Sequence, residues 1–455
     1  ELDCAPHRVQ AAIDGFFECE KEVHKFDALR TEAQLQDFKR VSRLLFSKMF
    51  NVLDLAVYNG DILPKHGPGS TAEKLSSNGK FDSLSWTSRL EEVFPFERHL
   101  FPNVGWYQTY PEVDILEPGD ELPVRVVLVP KTLKTPRVIA IEPACMQYMQ
   151  QGILEQYKAE IERDDILKSL ISDKSQVPNR ELAREGSITG ALATLDLSEA
   201  SDRVSNQLVR QLFSDHAWLS RAVDATRSRN ADVLGQGTIP LAKFASMGSA
   251  LCFPVESMVF LTIVFLGIEK SLSRRLTLRD ISMSRGRVRI YGDDIIVPTD
   301  MMSSVAGELE AFGLKVNQNK SFGAGKFRES CGGDYYDGHW VTPIRVRRVF
   351  ATQLKHADEL VSMVSLRNQL FDAGLYNSMA WIDRRVSRIL PYYPEVPRDS
   401  SALGRWTHLP IQGKRVHPDY HQPLIKACVA VPRPPVDILD GRGALMKWFL
   451  KRSIE

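Results

Sequence analysis

Two adjacent carboxylates inside an aliphatic hairpin are the residues of this chain best suited to chemistry. Asp293 and Asp294 sit at the bend of Val288-Arg289-Ile290-Tyr291-Gly292-Asp293-Asp294-Ile295-Ile296-Val297. Like charges placed side by side repel, and without a cation one of them takes up a proton. A third acid, Asp196, closes the apolar run 191–195, which reads as a buried strand ending on a carboxylate. Hard oxygen donors of this kind suit Mg²⁺, which also keeps waters and substrate phosphates in its shell. Two such ions ~3.5–4 Å apart can activate an attacking hydroxyl and steady a leaving pyrophosphate. Asp196 and Asp293 are the expected bridging ligands, and Asp294 an auxiliary one. Gly292 suits a turn that needs positive φ or a close approach. A Gly-Asp-Asp turn is also ordinary hairpin chemistry, so the surrounding segments must decide.

Asp202 follows Asp196 by six positions and can accept a hydrogen bond from a ribose 2′-hydroxyl, the group that separates RNA from DNA substrates. Its alternative is an N-cap for the helix that follows. Gly248, in Ala245-Ser246-Met247-Gly248-Ser249-Ala250, lets backbone approach template or ribose, or simply enters a helix. Glu256 can orient Asp202, or can be a structural acid paired with an Arg. Lys131, Lys134 and Arg137 flank the ribbon tip Pro130-Lys131-Thr132-Leu133-Lys134-Thr135-Pro136-Arg137. They can grip a triphosphate, Arg as a fork and Lys as a point charge, or can be a solvated loop. Lys320, after Val316-Asn317-Gln318-Asn319, can protonate leaving pyrophosphate or be an ordinary surface Lys. Tyr291, next to the acids, joins the substrate-contacting set.

These groups need elements to hold them. Residues 1–60 have apolar positions at helical spacing in Phe38, Val41, Leu44, Leu45 and Met49. Residues 65–70 read as a loop. Residues 125–129 and 138–141 read as a strand and its return, and 146–169 as a helix. Helical periodicity resumes from about 202. A long apolar helix fits 250–271, strand–turn–strand fits 287–297, and helix fits 349–370. Prolines multiply beyond 390, and a last amphipathic helix fits 443–451. Helices and short strands mix without regular βαβ repetition, which argues for an α+β core flanked by helical lobes.

At 455 residues, the chain is long enough for two or three lobes around a sizeable core. A net charge of +1 excludes a uniformly basic nucleic-acid coat but not an enzyme with a basic channel. Cys4, Cys19, Cys145, Cys252, Cys331 and Cys428 form no C-x-x-C pair, so structural zinc is not expected, and scattered thiols suit a reducing cytosol. The most apolar stretch, 258–268, is too short to span a bilayer, and no membrane is expected. No signal-peptide pattern opens the chain. The chain begins at Glu1, which leaves open how much precedes it.

The order basic ribbon, first Asp strand, Gly turn with helix, Asp-Asp hairpin and Lys is that of palm-type polymerases. The flanking blocks are more specific. The run Leu192-Ala193-Thr194-Leu195-Asp196-Leu197-Ser198-Glu199-Ala200-Ser201-Asp202 resembles the replicases of single-stranded RNA bacteriophages (levivirus-like). So do Arg137-Val138-Ile139-Ala140-Ile141-Glu142-Pro143, Ser246-Met247-Gly248 with Val255-Glu256-Ser257, Tyr291-Gly292-Asp293-Asp294, and Phe327-Arg328-Glu329-Ser330-Cys331-Gly332. The resemblance spans roughly 130–347. It departs where Ser249 stands for the more usual Asn and Cys252 for a Thr.

The resemblance implies a right-hand polymerase fold with an antiparallel-sheet palm, fingers and a mainly helical thumb. Residues 1–184 would form the N-terminal region and fingers with the ribbon 125–143. Residues 185–348 would form the palm, with a possible fingers insertion around 205–245, and 349–455 the thumb and C-terminal region. It implies an RNA-directed RNA polymerase that adds ribonucleotides from NTPs without a separate primer. Two Mg²⁺ ions, replaceable by Mn²⁺, would sit on Asp196, Asp293 and Asp294. Asp202 would sense ribose, and Lys131 and Arg137 would contact the triphosphate. Implied partners are RNA, NTPs, host elongation factors Tu and Ts and a ribosomal protein, in the cytoplasm of the bacterial host. A reverse transcriptase shares the palm, but typically carries a bulky residue near the place of Asp202. A catalytically inactive RNA-binding subunit would not need all three acids.

Overall fold

The computed structural model describes residues 4–75, 77–103, 105, 112–130, 135–411, 413, 415–433 and 436–452. Lys131 and Lys134 lie outside the described residues. The chain divides into two compact units, residues 342–436 and a larger one made of 4–341 with 437–455.

The centre of the larger unit is a four-stranded antiparallel sheet. Its order is Lys315–Val316, Leu192–Ser198, Asp294–Pro298, Arg289–Tyr291. The two middle strands alternate little in polarity (Leu192, Ala193, Thr194 and Leu195 against Ile295, Ile296 and Val297) and are buried on both faces. Such continuous apolar runs belong to strands covered on both sides. On one face packs the long helix Cys252–Leu272, apolar around its whole circumference and buried from Cys252 to Ile268 apart from Phe253, as a helix without a polar side must be. Its 21 residues agree with the helix expected over 250–271 and extend well beyond the most apolar stretch 258–268. It is long and apolar enough to cross a membrane, yet 89% of its most apolar stretch is buried in the protein. Helix Glu32–Asn59 lies against it. Helix Val177–Thr189 covers the sheet near Leu192–Ser198 and the hairpin Phe327–Ser330/Gly333–Tyr336.

A second four-stranded sheet carries the basic ribbon. Strands Val124–Val129 and Arg137–Ile141 pair antiparallel, as the sequence predicts. They are extended by Asn230–Val233 and Gly237–Pro240, so part of the region 205–245 joins the ribbon's sheet. Ile13 and Phe16 of the N-terminal helix Pro6–Leu29 share a core with Val124, Val126, Ala140, Ala231 and Val233.

Several elements differ from expectation for local reasons. The helix expected over 146–169 breaks after Arg163, because Asp164 leaves the helical region and caps a new helix, Asp165–Ile171, through the amides of Ile166 and Leu167. In the smaller unit the first helix is Ala357–Asp372 rather than 349–370; residues 349–356 form no helix. The last helix, Gly441–Arg452, packs with the larger unit. Arg442 donates to the carbonyls of Leu100 and Phe81, and Met446 enters the main core.

Gly267 marks the tightest helix crossing. A Cβ there would lie 2.6 Å from Val305 Cα in helix Met302–Ala311, whereas one on Gly307 in that same helix would meet nothing within 4 Å. Gly267→Ala should therefore lower stability by about 1–3 kcal/mol through overpacking. Gly307→Ala should raise it by about 0.5–1 kcal/mol by removing glycine's backbone freedom. Urea unfolding midpoints of the two variants check this, and midpoints moving in the same direction would contradict the crossing.

Candidate active site

Strand register assembles the acids. Leu192–Ser198 pairs with Asp294–Pro298 so that Asp196 faces Asp294 across the ladder. The strand runs two residues beyond Asp196 instead of ending on it. Tyr291 pairs with Asp294, leaving Gly292 and Asp293 as a two-residue turn. Gly292 has φ +59°, and a Cβ on it would lie 2.6 Å from the Phe253 ring and 3.3 Å from Glu256 Oε1. Both reasons for a glycine hold here: the positive φ of a tight hairpin and a close neighbour. Tyr291 packs edge-on against Phe253, with ring centroids 5.2 Å apart.

Each acid has its own surroundings. Asn317 Nδ2 donates to Asp196 Oδ2 (2.9 Å), and Lys320 Nζ lies 3.6 Å from Asp196 Oδ1 and 3.9 Å from Glu329. Burial alone would lower the Lys320 pKa, but Asp196, Glu329 and Asp293 outweigh it and hold the ammonium above its ordinary value. Asp293 is exposed at the turn. Asp294 Oδ1 accepts the amide of Cys331 (3.0 Å). Burial pushes the Asp294 carboxyl up to about 6; the neighbouring Asp293 and Asp196 carboxylates add to the rise, and the Cys331 N–H opposes it. That amide belongs to a second tight hairpin in which Cys331 and Gly332 both have positive φ, +50° and +70°. A non-glycine residue held there stores strain. The three acids are thus neighbours through the backbone, but their side chains are not gathered into one ligand shell. Among the described residues no group of three His, Cys, Asp or Glu side chains stands ready to hold a metal.

Asp202 is buried, and its Oδ1 accepts from Lys243 Nζ (2.9 Å) and Ser246 Oγ (2.7 Å). It does not cap the next helix; Ser205 does, through the amide of Gln207. Glu256 is also buried, but among the described residues it neither bonds Asp202 nor pairs with an Arg. It accepts from Ser201 Oγ (2.6 Å). Burial pushes it up to about 8, with Asp293 and Asp202 adding and the Ser201 bond opposing. The close approach at Gly248 is to protein: at φ +133°, a Cβ would fall 1.9 Å from Ala140 O, and the Ala140 amide donates to Met247 O. The Gly turn is thus clamped onto the ribbon. Ser249 Oγ donates to buried Gln150 (3.0 Å), which in turn donates to Thr226 O. Arg137 is exposed where its strand begins, opposite Val129. In the smaller unit Arg345, Arg347, Arg348, Arg384, Arg385 and Arg388 are all exposed, with Arg385 over the Trp381 ring at 3.9 Å.

The sequence analysis overlooked Lys243 and Asn317, and took Ser201 for a cap or loop residue. Lys243 had a signal, being a lone cation within Leu241-Ala242-Lys243-Phe244-Ala245. Such a charge is either an error of patterning or a buried partner. Ser201 and Asn317 carry no signal that separates them from loop residues.

A family model for the RNA replicase beta-chain matches residues 122–399, more than half of the chain. The chain belongs to the RNA replicase beta-chain family. It is 37% identical over 223 residues to the RNA-directed RNA polymerase subunit beta of Qbeta virus (strain MX1), covering 49% of this chain and 35% of that one. It is 35% identical over 265 residues to the RNA-directed RNA polymerase beta chain of Escherichia phage MS2, covering 58% and 43%. The subunit beta of Enterobacteria phage SP is 31% identical over 275 residues, covering 60% and 43%. The chain thus spans less than half the length of these replicase relatives. The crystal structure of the RNA-dependent RNA polymerase of a human picobirnavirus aligns with a TM-score of 0.42 and 13% identity, over 59% of this chain and 57% of that one. The α+β sheet bearing Asp196, Asp293 and Asp294 lies within the stretch matched by the replicase family.

Glu256 yields a pH test. Its carboxyl rises from the ordinary 4.5 to about 8 on folding, so the folded state binds the proton more tightly. That stabilisation is complete below about 4.5 and is lost as pH climbs through about 8. In divalent-free buffer the urea midpoint should fall over this window, and Glu256→Gln should flatten the fall. Equal slopes in both proteins would rule the assignment out.

Proposed function

We propose that this chain is the catalytic part of an RNA-directed RNA polymerase, adding ribonucleotides from NTPs to the 3′-hydroxyl of an RNA copied from an RNA template. One observation carries this reading: the register that sets Asp196 against Asp294, with Asp293 at the adjoining turn. Membership in the replicase family supports it.

The donor set fits a hard divalent cation. All three ligands are carboxylates, and Asp294 is pushed up by burial and by its two acidic neighbours, a crowding that a cation relieves. Asp196 and Asp293 would hold two Mg²⁺ ions, with Asp294, kept at the Cys331 amide, alongside. When bound, the metal supplies charge neutralisation at the triphosphate and a more acidic attacking hydroxyl.

The protein's own groups do the positioning on which phosphoryl transfer depends. Asp202 accepts from the ribose 2′-hydroxyl. Arg137 approaches the triphosphate, together with Lys131 and Lys134. Lys320, kept protonated by its acidic neighbours, donates a proton to leaving pyrophosphate. Gly248 and Glu256 act through the protein: Gly248 locks the Gly turn to the ribbon, and Glu256 fixes Ser201 in the segment that carries Asp202. Tyr291 stiffens the hairpin against Phe253. The exposed arginines of the smaller unit hold RNA backbone, a contact that weakens with salt. Initiation needs no separate primer. By family resemblance alone, elongation factors Tu and Ts and a ribosomal protein accompany the chain in the infected bacterium.

Asp293→Asn should cut template-dependent NTP incorporation by about 100-fold or more, the scale for losing a principal electrostatic group, without lowering the thermal midpoint. The assay uses an RNA template, four NTPs and Mg²⁺, with and without host elongation factors. Undiminished synthesis by the variant would remove these acids from the mechanism.

A further inference from the structure

Lys243 is fully buried, with 0% of its surface exposed, and the roles proposed above assign it none. Its ammonium lies 2.9 Å from Asp202 Oδ1, 3.2 Å from Glu20 Oε1 and 3.4 Å from the centroid of the Phe16 ring. Burying an ammonium is costly unless it is paired and hydrogen-bonded, so the three contacts together define one place for it. Glu20 and Phe16 both come from the N-terminal helix Pro6–Leu29, far from Asp202 in sequence.

The backbone that delivers Lys243 is equally constrained. Arg227 donates to the carbonyls of Leu241, Lys243 and Phe244. The Asn206 amide donates to Ala242 O, and the Phe244 amide to Val204 O. The Ala242 amide donates to Glu20 Oε2. The segment 241–244 is therefore laced to the residues just after Asp202 and, through Glu20, to the N-terminal helix.

Both bonds to Asp202, from Lys243 and Ser246, fall on Oδ1. Donors placed on one oxygen fix the plane of a carboxylate and direct the other oxygen elsewhere. We propose that Lys243 is the positioning residue that orients Asp202 and keeps it an acceptor for the ribose 2′-hydroxyl, with Glu20 and Phe16 of the N-terminal helix holding the lysine in place. The proposal rests on the polymerase reading and deepens it: selection of ribonucleotides depends on a cation anchored outside the sheet. Without Lys243, Asp202 is left buried near Glu20 and Glu256 with no cation to balance it. It then turns away, and the 2′-hydroxyl loses its acceptor.

The test measures kcat and KM for NTP and for the matching dNTP on an RNA template, with the full-length chain purified together with the bacterial proteins that accompany it. The unsubstituted chain comes first: if it adds neither nucleotide, the polymerase reading fails. If it selects NTPs, Lys243→Met should lower the ratio of kcat/KM for NTP over dNTP by about tenfold or more, the scale for removing a hydrogen bond to a charged group. Asp202→Asn should lower the same ratio, and the double substitution should lower it no further than Asp202→Asn does alone, because the lysine acts through the aspartate. Should Lys243→Met fail to fold, as judged by its thermal midpoint, Lys243→Gln keeps a donor near Oδ1 without the charge and carries the same expectation with a smaller drop. Variants that slow NTP and dNTP addition equally, or a double substitution whose losses add, would make Lys243 a structural residue only and overturn the proposal.

Discussion

Everything in the candidate site depends on how Leu192–Ser198 pairs with Asp294–Pro298. A strand alternates its side chains between faces, so a slip of one residue would send Asp196 to the opposite face from its partners. The pairing resists slipping because both strands are sheathed in apolar contacts. Leu195 and Ile295 lie opposite each other, and Ala193 lies opposite Val297, all buried. The long apolar helix Cys252–Leu272 closes one face. Arg328, itself buried, donates to the carbonyls of Leu192, Gly323 and Gly325 and ties the strand's start to the following loop. The acids are held at one end of a rigid ladder, the arrangement that lets carboxylates stay close despite their repulsion.

Around that ladder the protein distributes donors one acid at a time. Asn317 serves Asp196, the Cys331 amide serves Asp294, and Lys243 with Ser246 serves Asp202. Two of these donors sit in backbone under constraint: Cys331 in a left-handed turn, and Lys243 in a segment bracketed by Arg227. Such local cost is tolerated where geometry matters more than stability. The N-terminal helix, distant in sequence from every acid of the site, takes part through Glu20 and Phe16.

Much of this was legible in the residue order. The ribbon strands, the hairpin at Asp293–Asp294, the buried long helix and the helical character of residues 1–60 follow from apolar periodicity and turn residues, which act locally. The family was legible too, because whole blocks of residues repeat its pattern. Boundaries were less so. Asp164 splits one expected helix by capping the next, and residues 349–356 stay unwound despite a helical apolar pattern, since periodicity does not say which contacts a segment will find.

The sequence by itself determined which groups are available: one acid on an apolar strand, two at a hairpin bend, a fourth six residues after the first, a glycine where a turn needs positive φ, and a basic ribbon. Tertiary structure alone decided what each group touches. Gly248 meets Ala140, Glu256 bonds Ser201, and Lys243 reaches Glu20 across more than two hundred residues. The reason is physical. Periodicity and turn chemistry are written in neighbouring residues, whereas the partner of a buried charge is chosen by packing between elements that only the folded chain brings together.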